Sequence, residues 1–183
     1  MLRSIIGLRT AIVAACSAGV LLCAAARAED AEEFGNAHGQ GTYVWQNKAA
    51  LPARYTGPNS LTPSRERGYS FSATLFLGLR PWRGGELYLD PELVQGAPVS
   101  HLQGLGGLTN GENQKTAGPN PKPYVARAFL RQTWALGGDT EAVESDQNQL
   151  AGRVAKRRLV LTAGKLAVID LFDRNDVAAD PRT

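Results

Sequence analysis

The chain has 183 residues, with 20 lysines and arginines against 17 aspartates and glutamates, a length that suits one ordinary domain. Its positive excess does not argue for a nucleic-acid partner. Arg3, Arg9 and Arg27 lie in the first 28 residues, and beyond them 17 basic residues balance 17 acidic ones. Both cysteines, Cys16 and Cys23, fall in the same stretch, so the remainder has neither disulfide nor thiolate chemistry.

That first stretch reads as an export signal. Arg3 and Arg9 supply a positive start, residues 10–25 are apolar or small, and Ala26-Arg27-Ala28 forms a small–x–small cleavage site before Glu29. The apolar run is shorter than the roughly 20 residues of a spanning helix, and no later segment approaches that length. An exported chain of this kind is periplasmic, secreted, or an outer-membrane barrel. Residues 29–68 are expected to be extended or without regular structure, apart from a short strand over 42–46 with Tyr43 and Trp45 on one face. Pro52, Pro58 and Pro63 make residues 51–67 an extended connection.

Residues 69–92 carry the strongest pattern. Phe71, Ala73, Leu75, Leu77 and Leu79 alternate with Ser70, Ser72, Thr74, Phe76 and Gly78, which gives a strand one apolar and one small, mostly polar face. Arg80-Pro81-Trp82-Arg83-Gly84-Gly85 then supplies a turn, and a second strand sets Leu87 and Leu89 opposite Glu86, Tyr88, Asp90 and Glu92. The pair predicts an antiparallel hairpin. A sandwich strand is apolar-in and a membrane-barrel strand apolar-out, so alternation alone fits both.

Residues 94–123 are rich in Gly, Pro and Asn and predict a long surface loop, in which Gly104 and Gly106 give only a weak dinucleotide-loop match without a third glycine. Residues 124–134 predict a strand with Tyr124, Ala126, Ala128, Leu130, Gln132 and Trp134 on one face. Val125, Arg127, Phe129, Arg131 and Thr133 take the other. Tyr124 and Trp134 would stand roughly 23 Å apart across a tilted strand, close to the ~25 Å band that aromatic girdles bracket in barrels. In a sandwich the two arginines would instead face solvent. Residues 137–152 predict a polar connection with a helical turn near Glu141. Residues 158–169 predict a further strand, with Leu159, Leu161, Ala163, Ala167 and Ile169 on a face that Lys165 interrupts.

Catalytic machinery is thin. His38 and His101 have no Cys or acid at metal-ligand spacing, Asp170, Asp173 and Asp176 lack the alternate spacing of a calcium loop, and no serine sits in a nucleophile elbow. No cofactor is expected. Glu86, Asp90 and Glu92 on one strand read as polar wall rather than as a glycosidase pair, and Lys156-Arg157-Arg158 reads as a solvated rim. What stands out is Arg127 and Arg131 on one strand with Glu86, Tyr88 and Asp90 on its neighbour. If both polar faces line one lumen, guanidinium and carboxylate groups beside an aromatic ring suit the hydroxyls and C–H faces of sugars.

The runs YTGPNSL, YSFSATLFLGLRPWRGGELYLDPELVQG, GLGGLTNGE, FLRQTWALGG, ESDQNQLAG, RRLVLTAGKLAVIDLFD and DPRT resemble the carbohydrate-selective (OprB-type) porins, in order over residues 41–183. The resemblance implies an antiparallel transmembrane β-barrel in the bacterial outer membrane, through which sugars and similar small solutes diffuse without nucleotide or metal. Members of that family continue through many more strands, and closing the smallest barrels takes about eight. The expectation is therefore all-β: an incomplete, open and curled sheet of four or five strands over residues 69–183. Glu86, Asp90, Arg127 and Arg131 are expected to face the lumen. The alternative is a soluble periplasmic β-sandwich that binds carbohydrate or an envelope component.

Overall fold

A computed structural model of the chain describes residues 32–115 and 118–167. The leader expected over 1–28 and the acids Asp170, Asp173 and Asp176 lie outside the described residues. The strands are β1 (Gly35–Lys48), β2 (Glu66–Trp82), β3 (Gly85–Ala97), β4 (Lys122–Ala135), β5 (Thr140–Val143), β6 (Gly152–Ala155) and β7 (Arg158–Lys165). Three short 3-10 turns (Val99–Leu102, Gly104–Gly107 and Gly111–Gln114) complete an all-β architecture with no α-helix among the described residues. One antiparallel sheet runs in the order β1-β2-β3-β4-β7 and is open at both edges, while β5 and β6 form a separate two-stranded sheet.

The hairpin expected over 69–92 is the centre of the main sheet. Its turn needs Gly84, whose φ is +75° and whose added β-carbon would meet the Thr133 carbonyl oxygen at 2.3 Å. Two irregularities in the ladder sit at prolines, which have no N–H to donate. In β2, Arg80 and Pro81 together oppose the single residue Glu86, between the pairs Leu79–Leu87 and Trp82–Gly85. In β4, Ala126 is extra, between the pairs Asp90–Arg127 and Pro91–Val125.

The second bulge corrects the sequence reading of β4. Beyond it Tyr124 pairs with Glu92, on the face of Asp90 and Arg127, while Trp134 pairs with Leu159 on the other. Tyr124 and Trp134 therefore do not bracket one face. Other differences are local. The strand expected over 42–46 runs from Gly35 to Lys48, because its partner β2 supplies a complete ladder from Leu79 to Glu66. The helical turn expected near Glu141 is strand β5, paired with β6. The strand expected over 158–169 is assigned over Arg158–Lys165, and Ile169 lies outside the described residues.

Burial across the main sheet is inverted relative to a soluble domain. Ser70, Ser72, Thr74, Asp90 and Glu92 are buried, whereas Leu75, Leu79, Leu87, Leu89, Trp134, Leu159 and Leu161 are exposed. No second sheet covers that apolar face among the described residues. The polar face is covered instead, by the connection around 98–115 at one end and by residues 144–151 at the other.

Candidate functional site

The site is the polar face, and strand pairing assembles it. Antiparallel register sets Glu86 opposite Arg131, Tyr88 opposite Phe129, and Asp90 opposite Arg127, so all four sequence-predicted residues share one face. Glu86 bridges two arginines: Arg80 Nη2 donates to Oε1 at 2.9 Å, and Arg131 Nη1 lies 3.5 Å from Oε2. The Tyr88 hydroxyl donates to the same Oε2 at 2.9 Å. Arg127 Nη1 lies 3.7 Å from Asp90 Oδ2, which also accepts from Asn148 Nδ2 at 2.9 Å.

An aromatic pair stands within this ladder of charge. The rings of Tyr88 and Phe129 stack at 4.9 Å, and the Arg131 guanidinium lies over them, 5.0 and 5.6 Å from their centroids. Leu150 closes the group from the 144–151 segment and is itself buried. Access differs along the ladder. The Asp90 side chain is 0% exposed and that of Arg127 12%, against 30% for Arg131. Arg131 is thus the most open of the four, and Asp90 lies beneath Asn148 of the 144–151 segment.

Toward the other end the face is closed by the 98–115 connection, which corrects the surface loop expected there. Asn110 Nδ2 donates to Ser70 Oγ at 2.8 Å, Asn113 Nδ2 to Gln46 Oε1 at 3.3 Å, and the Ser100 hydroxyl to Glu66 Oε2 at 2.7 Å. Ser100, His101 and Leu102 all have left-handed φ, at 50°, 52° and 64°. That backbone costs roughly 1–2 kcal/mol per residue and persists only where neighbours over-determine it. Here Ser100 Oγ also accepts from the Thr62 N–H at 3.1 Å, which fixes the segment against both β2 and the connection that precedes it.

The opposite, apolar face has an order of its own. Tyr43 pairs with Phe71 and Trp45 with Tyr69 at one end, and the Tyr43 and Tyr69 rings stack at 6.2 Å. Trp82 and Trp134 stand at the other end, where the Trp82 indole N–H donates to Gln132 Oε1 at 2.7 Å. From Phe71 to Trp82 along β2, about 3.3 Å per residue and a 45° tilt project to roughly 26 Å. Between these belts the face carries Ala73, Leu75, Leu77, Leu79, Leu87, Leu89, Ala128 and Leu130. No charged side chain interrupts that stretch of β2 and β3; on β7, Lys165 pairs with Ala128 and its ammonium group donates to the Val125 carbonyl.

No known family, curated protein or solved structure matches the chain. The porin resemblance rests on the sequence runs that carry it. Among the described residues no helix is long and apolar enough to cross a membrane, which bears on helices and not on strands. Nor do the described residues place three or more His, Cys, Asp or Glu side chains to hold a metal ion.

Sequence reasoning missed three participants. Arg80 falls in the turn expected over 80–85, yet it continues the even parity of Phe76 and Gly78, a signal that puts it on the polar face. Asn148 and Leu150 carry no such signal, because their positions depend on contacts across some sixty residues of chain.

Proposed function

We propose that this chain forms part of an outer-membrane β-barrel of the carbohydrate-selective porin type, passing small polar solutes such as sugars. The observation that carries the reading is the apolar sheet face bracketed by aromatic residues at both ends, with the buried ion pairs all on the opposite face. Water does not reward such an exposed face, and a bilayer core about 25 Å thick between two interfaces does. Closing a barrel requires more strands than the five of this sheet.

In this reading the polar face is the lumen wall, and Glu86, Asp90, Arg127 and Arg131 line it. Arg131, the most exposed of them, offers hydrogen-bond donors to solute hydroxyls beside the Tyr88–Phe129 platform. Barrels carry short turns on the periplasmic side and longer loops outside. In this reading the Arg83-Gly84 turn lies at the periplasmic end and the connections at 49–65 and 98–121 at the external one, with the longer 136–157 connection as the exception. Fractionation of cells expressing the chain tests the reading. The protein should stay with the outer membrane after an alkaline carbonate wash, and release with the soluble periplasmic proteins would exclude it.

A further inference from the structure

The β4–β7 connection, residues 136–157, lies at the tight-turn end of the sheet, where porin-type barrels keep their connections short. It does not simply extend outward. Residues 144–151 turn back over the polar face and are tied there by groups from β1, β2, β4 and the residues before β1. Asn36 Nδ2 donates to Ser145 Oγ at 2.9 Å and to the Gln149 carbonyl at 2.8 Å. Glu33 accepts from Ser145 Oγ at 3.1 Å and from the Ala151 N–H at 2.8 Å, while its own N–H donates to the Ala151 carbonyl at 3.0 Å. Arg80 and Arg131 donate to the carbonyls of Ala151 and Asn148, at 3.3 and 3.1 Å.

The segment rests directly on the sheet backbone. A β-carbon on Gly78 would lie 2.5 Å from Asn36 Oδ1 and 3.2 Å from Leu150 Cδ2, so only glycine leaves room for tether and segment together. Leu150 is 3% exposed and packs on Tyr88 and Phe129, the aromatic pair beside the Glu86 ion pairs.

We infer that residues 144–151 are a seated strap that narrows the passage at the tight-turn end, with Leu150 as its steric element and Glu33 and Asn36 as its positioning residues. The consequence for solute size rests on the lumen reading above, whereas the seating of the strap does not. Thiol chemistry on the full chain reads the seating directly, in a Cys16→Ser/Cys23→Ser background where an introduced cysteine is the only thiol. Leu150→Cys should react with a maleimide at the slow rate of a buried thiol. Adding Glu33→Ala and Asn36→Ala should raise that rate at least about tenfold, with the β-sheet circular dichroism unchanged. Asn36→Cys paired with Ser145→Cys should close a disulfide under mild oxidation.

Fast labelling of Leu150→Cys with its tethers intact, equal rates with and without them, or absence of the crosslink each overturns the strap. Should the tether variant lose its sheet signal, the crosslink decides alone. In conducting preparations the tether variant should admit larger oligosaccharides than the parent. Absence of conduction in both counts against the porin reading and leaves the labelling result standing.

Discussion

Leu89→Arg separates a lipid-facing sheet from a water-facing one. Leu89 is 43% exposed and pairs with Leu77, which stands midway between the belt residues Phe71 and Trp82 on β2. In a bilayer that places position 89 near the midplane, where an arginine costs about 2–4 kcal/mol on the lipid face of a barrel. The partition constant should then fall by roughly thirty- to seven-hundred-fold. In water the same substitution at a half-exposed position stays within about 0.5 kcal/mol of neutral. Flotation of the purified chain with phosphatidylcholine vesicles measures the partition, with Leu105→Arg as the control. Leu105 is 64% exposed in the 98–121 connection, beyond the apolar band, and its substitution should change partition little. Equal, small effects at both positions would refute the assignment of the apolar face to lipid.

Other consequences follow from the ion pairs and from the leader expected over 1–28. Glu86→Ala leaves Arg80 and Arg131 facing each other with no carboxylate between them, and should cost roughly 2–3 kcal/mol in denaturant titration. Glu86→Gln keeps an acceptor for the Tyr88 hydroxyl and should recover part of that loss. Arg127→Ala with Arg131→Ala removes two fixed positive charges from the proposed lumen wall. Single-channel recording should show a shift toward cations and weaker block of ion current by sugar. Intact-mass analysis of exported protein should give a chain beginning at Glu29, the residue after Ala26-Arg27-Ala28.

The sequence was most legible where one strand face is large and apolar and the other small and polar. Phe71, Leu75, Leu77 and Leu79 against Ser70, Ser72 and Thr74 define the faces of β2, and the structure keeps them apart. Which face is buried was not legible, since alternation is the same in a sandwich and in a barrel. Only the 42–46 part of β1 was legible, from Tyr43 and Trp45; before it Gly35, Gly39 and Gly41 occupy the outward positions and leave no apolar repeat to read. The bulge at Ala126 also hides from parity. It follows from Pro91 on the neighbouring strand, and it moves Tyr124 to the face of Glu92. The four predicted site residues were legible as a set because they lie on two adjacent strands with regular register between Glu86 and Asp90. Their covers were not. Asn110 meets Ser70, and Asn148 meets Asp90, through polar side chains in connections whose composition states only that they are loops.

The central claim, that the apolar face meets lipid between two aromatic belts, is tested most directly by depth-resolved quenching of tryptophan fluorescence. Trp45, Trp82 and Trp134 are 58%, 49% and 45% exposed and stand at the two ends of the band, while Leu77 lies at its middle. In membranes carrying brominated lipids, single-tryptophan variants at 45, 82 and 134 should be quenched most by bromines near the headgroups. Leu77→Trp, made in a chain whose three native tryptophans are replaced by phenylalanine, should be quenched most by bromines near the chain ends. Water-like emission from all four positions, unaffected by bromine at any depth, would contradict the account.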